Sequence, residues 1–206
     1  IGIENQNLFE SGEDQDTPQF WVEYEGYRVW QKSGQILAGV ILGISIGSLF
    51  GIVFALSRNT LPGNNDLKKA ITLSGIMWFT LYIIPFLKYP ANPPTVGDGE
   101  TVVLRAILYL SFIAISGLGA FSFYKLSTKL QNNKKIISLA GYTIFIGIVF
   151  LIMPENPDEI TAPIELVTEF RIMSVLGVSS FWASIGIILG LFWNKLKPHQ
   201  ETNSSY

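Results

Sequence analysis

The chain has no cysteine, a single histidine and few charges for its 206 residues. Without cysteine there is neither a disulfide framework nor a thiolate metal site. The one histidine, His199, sits in a polar C-terminal tail, so the body of the chain offers no Ser/His/Asp set, no HExxH and no haem-type histidine pair. A phosphate-cradling glycine loop and paired intramembrane aspartates are missing too, and the chain is expected not to be an enzyme. Charged residues make up 15% and the net charge is −2, which argues against a nucleic-acid-binding surface.

Apolar residues, at 49%, are plentiful, and they come in blocks. Five blocks carry no charge and reach the length of a bilayer core: Ile36–Leu56, Ala70–Leu87, Ala106–Tyr124, Ile136–Met153 and Ile172–Trp193. A single such block would fit a buried soluble helix. Five in succession predict an all-α, polytopic membrane bundle, because internally bonded helices are what a bilayer accepts. The expected organisation is an acidic and aromatic extracytoplasmic segment over 1–33, a bundle over 34–194 and a cytoplasmic tail over 195–206. The spans fall near 36–56, 70–87, 102–124, 136–153 and 172–193.

The connections alternate in sign. The segments after the first, third and fifth spans hold nine of the fourteen basic residues and only Asp66 and Glu201 as acids. The other fourteen acids fall in the N-terminal segment, the connection between the second and third spans, and Pro154–Arg171. By the positive-inside rule the N-terminal segment lies outside and the C-terminus in the cytoplasm. The chain begins with Ile1 rather than methionine. An acidic segment placed outside needs something upstream to translocate it, and a signal peptide or a further span would each serve.

Several features are unusual for passive spans. Gly39, Gly43, Gly47 and Gly51 recur every four residues on one face of the first span, suited to close approach of another helix. That helix is either one of the chain's own, with Gly186 and Gly190 in the fifth span as one candidate, or belongs to a second copy or a separate subunit. The aromatic run from Phe20 to Trp30 reads either as an interfacial belt or as a partner-binding surface. Pro85, near the outer end of the second span, is expected to release the carbonyl of Leu81 and bend the helix. Beyond it, Lys88, Tyr89, Asn92, Pro93 and Pro94 belong to a stiff, polar hairpin in which proline excludes both helix and central strand.

Asp98 reads as the N-cap of the third span, with Glu100 favourable at its positive end. Arg105 lies a turn or more inside and needs a partner. Pro163 is suited to the first turn of the fifth helix, which presents Glu165, Glu169 and then Arg171. We expect Arg105 and Arg171 to meet Asp98, Glu100, Glu165 and Glu169 in one polar cluster at the outer boundary, either as a transport site or as a brace. Carboxylates concentrate cations there without selecting one. The methionines (Met77, Met153 and Met173) read first as packing residues, and metal ligands stay unassigned.

Trp30-Gln-Lys-Ser33 ahead of a glycine-rich span, Leu87-Lys-Tyr-Pro-Ala-Asn-Pro-Pro-Thr-Val-Gly-Asp98 followed by Arg105, and Pro163…Leu166…Phe170-Arg-Ile-Met-Ser174…Trp182 together resemble the CbtA family, described as probable cobalt transporter subunits. The resemblance runs from Trp30 to Trp193, with the hairpin as its most specific part. It departs at Gly99, where the family pattern has proline, which loosens the start of the third helix. The resemblance implies a six-span parent with both termini cytoplasmic and a link to cobalamin synthesis. It also implies a short, single-span, histidine-rich CbtB partner. On that reading the chain is the membrane subunit of a cobalt uptake transporter. Cobalt would be its substrate and no cofactor would be bound permanently, with lipid as its surroundings. The hairpin and the start of the fifth helix would form the mouth. The alternative is a non-transporting scaffold or assembly subunit of a heteromeric membrane complex.

Overall fold

The computed structural model describes residues 18–197 apart from 95, 131–134 and 161. His199 and the acidic residues Glu4 to Asp16 lie outside the described residues. Every regular element among the described residues is helical: α1 (Pro18–Ser57), α2 (Asp66–Trp78), a π-helical turn (Phe79–Ile83), α3 (Ile84–Lys88), α4 (Val102–Lys129), α5 (Lys135–Ile152) and α6 (Ile164–Leu196). Five helical stretches are long and apolar enough to cross a membrane, α2, the π turn and α3 counting as one, Asp66–Lys88. The chain is a multi-pass, all-helical membrane protein.

It divides into two compact units, Ile1–Leu56 and Ser57–Tyr206. The first is built on α1. Its 40 residues give a rod of about 60 Å, twice the hydrocarbon thickness, so the helix runs well ahead of the apolar block that starts at Ile36. Residues 18–33 are therefore a helical extension rather than a loose lead-in. Along it Tyr27 stacks on Trp30 at 5.9 Å, and the Arg28 guanidinium lies over the Tyr24 ring at 5.8 Å. Gly39, Gly43, Gly47 and Gly51 fall on one face of this continuous helix.

In the second unit the second span is the hub, packed along α6 on one flank and against α4 on the other, with α5 beyond α4. Asn65 caps α2 by accepting the Lys68 N–H at 2.8 Å. Asp66 holds Arg58 through two hydrogen bonds, and its own N–H donates to Asn194 Oδ1 at 3.2 Å, so the start of α2 is tied to the last turns of α6. Along this seam Trp78 Nε1 donates to Ser179 Oγ at 3.0 Å, and the Tyr82 hydroxyl lies 3.4 Å from Ser174 Oγ.

The seam is close because α6 presents glycines to α2. A Cβ on Gly190 would fall 2.7 Å from Leu67 Cα, and one on Gly186 would fall 2.8 Å from Ser74 Cβ. The sequence offered these two glycines as a candidate surface for the first span; their close neighbours are residues of the second. The α4–α5 contact is reciprocal: Phe145 occupies the space over Gly119, and Phe123 the space over Gly141.

Pro85 acts differently from the sequence expectation. The backbone widens to π geometry ahead of it, and the Ile84 N–H reaches back five residues to Phe79 O. In that register the donor owed to Thr80 O is residue 85, which as proline has none. Thr80 O instead accepts from Ser116 Oγ of α4 at 2.6 Å. A carbonyl is indeed freed, but the one seen to be recaptured is Thr80 rather than Leu81. The Ser116 hydroxyl proton is committed to that carbonyl, and the Tyr142 hydroxyl, 3.0 Å from Ser116 Oγ, offers its own proton to Ser116, whose backbone carbonyl also lies 3.3 Å away. Pro85 and Ser116 are fully buried, and Phe112, Ile84 and Tyr142 form the adjoining core.

Thermal unfolding in detergent, read by tryptophan fluorescence, tests three positions. Ser116→Ala leaves a buried carbonyl without a donor and should cost about 1–3 kcal/mol. Gly190→Ala should cost a similar amount by overpacking. Gly177→Ala, which meets nothing within 4 Å, should be neutral or mildly stabilising.

Candidate functional site

The hairpin between α3 and α4 is pinned at three places. At its start, the Tyr89 hydroxyl donates to Pro154 O, and the ring meets Phe112 edge-on. Burial pushes the Tyr89 phenol above its ordinary pKa. Lys88 lays its amino group over the Phe150 ring at 4.9 Å, its stem covering apolar surface.

At the middle, Arg171 of α6 reaches across. Its Nε donates to Ala91 O at 3.2 Å and its Nη2 to Asn92 Oδ1 at 2.9 Å. Pro93 is buried and Pro94 exposed.

At the end, Arg105 organises the chain around itself. Nη2 donates to Asp98 O at 2.9 Å and Nη1 to Val96 O at 3.4 Å. Nε lies 2.8 Å from Asp158 Oδ2, in the connection between α5 and α6. Both atoms are shielded from solvent, and they meet as an ion pair rather than through an aligned hydrogen bond. The Thr101 hydroxyl donates to the other Asp158 oxygen at 2.7 Å. The backbone turns at Gly97, with φ +100°, where a Cβ would sit 2.7 Å from Arg105 Nη1 and collide with the Asp158 carboxylate. Only glycine meets both demands.

The single polar cluster expected from the sequence is thus two separate anchors. Arg105 takes Asp158 as its carboxylate partner, and Arg171 takes hairpin oxygens. Among the described residues no ion pair joins Glu100, Glu165 or Glu169 to either arginine, and all three are exposed. Asp98 contributes its carbonyl to Arg105, while its carboxylate accepts the Glu100 N–H at 2.9 Å. It stabilises a turn ahead of α4, whose N-cap is Thr101, so neither Asp98 nor Glu100 lies in the helix.

Asp158, Gly97 and Thr101 escaped sequence reasoning. The signal was an arginine a turn or more inside the third span in need of a carboxylate, with an acidic connection on the same side to supply one. No three His, Cys, Asp or Glu side chains converge among the described residues. Met153 is partly buried against the core, and Met173 is exposed. Tyr89, Val149, Phe150 and Met153 pack against the buried cluster of Ile84, Phe112 and Tyr142, and Pro85 is itself fully buried.

A family model described as "Probable cobalt transporter subunit (CbtA)" matches residues 1–194, the hairpin and both of its anchors included. The chain belongs to the CbtA family. No curated protein and no solved structure matches it. Membership makes it a member of a transporter-subunit family rather than of an enzyme family, and a subunit implies partners.

In the CbtA chain the cap should be brittle at its ion pair. Removing one member of a buried pair costs about 3–5 kcal/mol, and Arg105 is 25% exposed, so we expect about 2 kcal/mol for Asp158→Ala. Gly97→Ala should cost as much through strain and collision. Glu100→Gln and Glu165→Gln should change thermal stability by less than about 0.5 kcal/mol. A double-mutant cycle of Arg105→Gln with Asp158→Asn should return a clear coupling.

Proposed function

We propose that this chain is the membrane subunit of a cobalt uptake system that serves cobalamin synthesis. The family match over residues 1–194 carries the reading. The alternating loop charge supports an outside N-terminal segment, with the C-terminus in the cytoplasm. On this reading Co²⁺ is the substrate and no cofactor is held permanently. Asp98, Glu100, Glu165 and Glu169 stand exposed around the pinned hairpin and would raise the local concentration of cations. Selection requires donors of another kind, imidazole above all, and these would come from a short, single-span, histidine-rich partner of the CbtB type. Arg105, Asp158 and Arg171 act as the frame on which the acidic rim is carried.

One observation favours a second reading, a non-transporting scaffold or assembly subunit. Pro85 is fully buried, and apolar and aromatic side chains pack against its neighbour Ile84 and against Phe112. For transport past these side chains the hairpin and α3 must move; for a scaffold they need not.

Cobalt-57 uptake into cells that express the chain with its partner separates the two. Uptake above background is expected. Asp98→Asn combined with Glu169→Gln should lower it about tenfold at low ionic strength, and less in added salt. Unchanged uptake with normally expressed variants would remove the rim from the mechanism. No uptake above background would leave only the scaffold.

A further inference from the structure

We propose that the base of the α4–α5 pair is a binding site for one anionic glycerophospholipid, an acyl chain lying in the groove and the phosphate at Lys135. A cavity of about 200 Å³ opens there, lined by Ala120, Phe123, Ser127 and Tyr124 of α4 and by Lys135, Ser138, Leu139 and Tyr142 of α5. It exists because of the register of the two helices. The contacts Phe145 on Gly119 and Phe123 on Gly141 set that register, and one turn nearer the connection Ser127 and Ser138 both line the groove. Two serines cannot fill the space that a phenyl ring fills higher up.

The groove is polar only in name. Ser138 Oγ donates to Phe123 O, Ser127 Oγ to Tyr124 O at 2.7 Å, and the Tyr142 hydroxyl is engaged by Ser116. What remains open to an occupant is hydrocarbon surface, suited to methylene groups.

Its mouth has the opposite character. Lys135 is the first residue of α5, exposed, with no acid in the first turn to offset the positive end of the helix. A lysine there is unfavourable alone and becomes favourable when an anion is shared with the helix N-terminus. From residue 101 to residue 154 the chain has no Asp or Glu, so neither wall of the groove supplies that anion. An apolar slot running into the membrane under a cation that no acid among the described residues pairs matches a lipid, tail and headgroup together. The inference depends neither on cobalt transport nor on which leaflet the site faces.

The test uses the full chain purified in neutral detergent, with dioleoyl phosphatidylglycerol and dioleoyl phosphatidylcholine offered in equal amounts and retained lipid read by native mass spectrometry. Phosphatidylglycerol should be retained about fivefold over phosphatidylcholine. Lys135→Gln should bring the ratio to near one. Lys197→Gln, at the C-cap of α6 and outside the groove, should leave it unchanged. Ala120→Phe should abolish retention of both lipids by filling the slot, and Ser127→Leu tests the same point should Ala120→Phe not fold. Equal retention by the unaltered chain, or an equal fall in Lys197→Gln, would overturn the proposal. So would displacement of the lipid by glycerol phosphate, which would indicate an anion site without a tail.

Discussion

A carbonyl stripped of its donor inside a hydrocarbon layer has no water to turn to, and an unmet group there costs several kcal/mol. Pro85 creates such a vacancy in the second span, and the hydrogen bond from Ser116 to Thr80 O fills it. Much else rests on that bond. It fixes the height of α4 against the second span, and through Tyr142 it fixes α5 as well. It also needs close approach, which Gly117 beside Leu81 allows. With those heights set, α3 ends where Tyr89 can reach Pro154 and Arg105 can reach Asp158.

The hairpin cap separates two uses of charge. Its paired charges, Arg105 and Asp158, serve cohesion, and Arg171 is spent on hairpin oxygens. Its remaining carboxylates stay in water. A cation drawn to them meets a concentration of charge but no preformed set of three ligands among the described residues.

The architecture was legible because its cause is crude: five charge-free blocks in a row have few alternatives to a helical bundle. The hairpin was legible through its prolines, and the need of Arg105 for a partner through its depth. The partner's identity was not. Asp158 lies 53 positions further on, in a connection that also holds Glu155 and Glu159, and only the turn at Gly97 aims the guanidinium at one of the three. The grouping of Asp98 with Glu100 at a helix start failed for a local reason: the Asp98 carboxylate satisfies the Glu100 N–H in a turn of its own, so the helix begins later. Pro85 was read with α-helical spacing, and the π turn moved the freed carbonyl by one residue.

The seam between α2 and α6 joins residues made far apart in time. Asp66 meets Asn194 and Trp78 meets Ser179, across 128 and 101 positions. A ribosome delivers the second span to the bilayer long before the last one exists. Until then Trp78, Tyr82 and the Ser74 face have no α6 glycines or serines to receive them. The newborn second span must therefore wait, sheltered at the insertion machinery or leaning on temporary neighbours, and the bundle closes only when its final helix arrives.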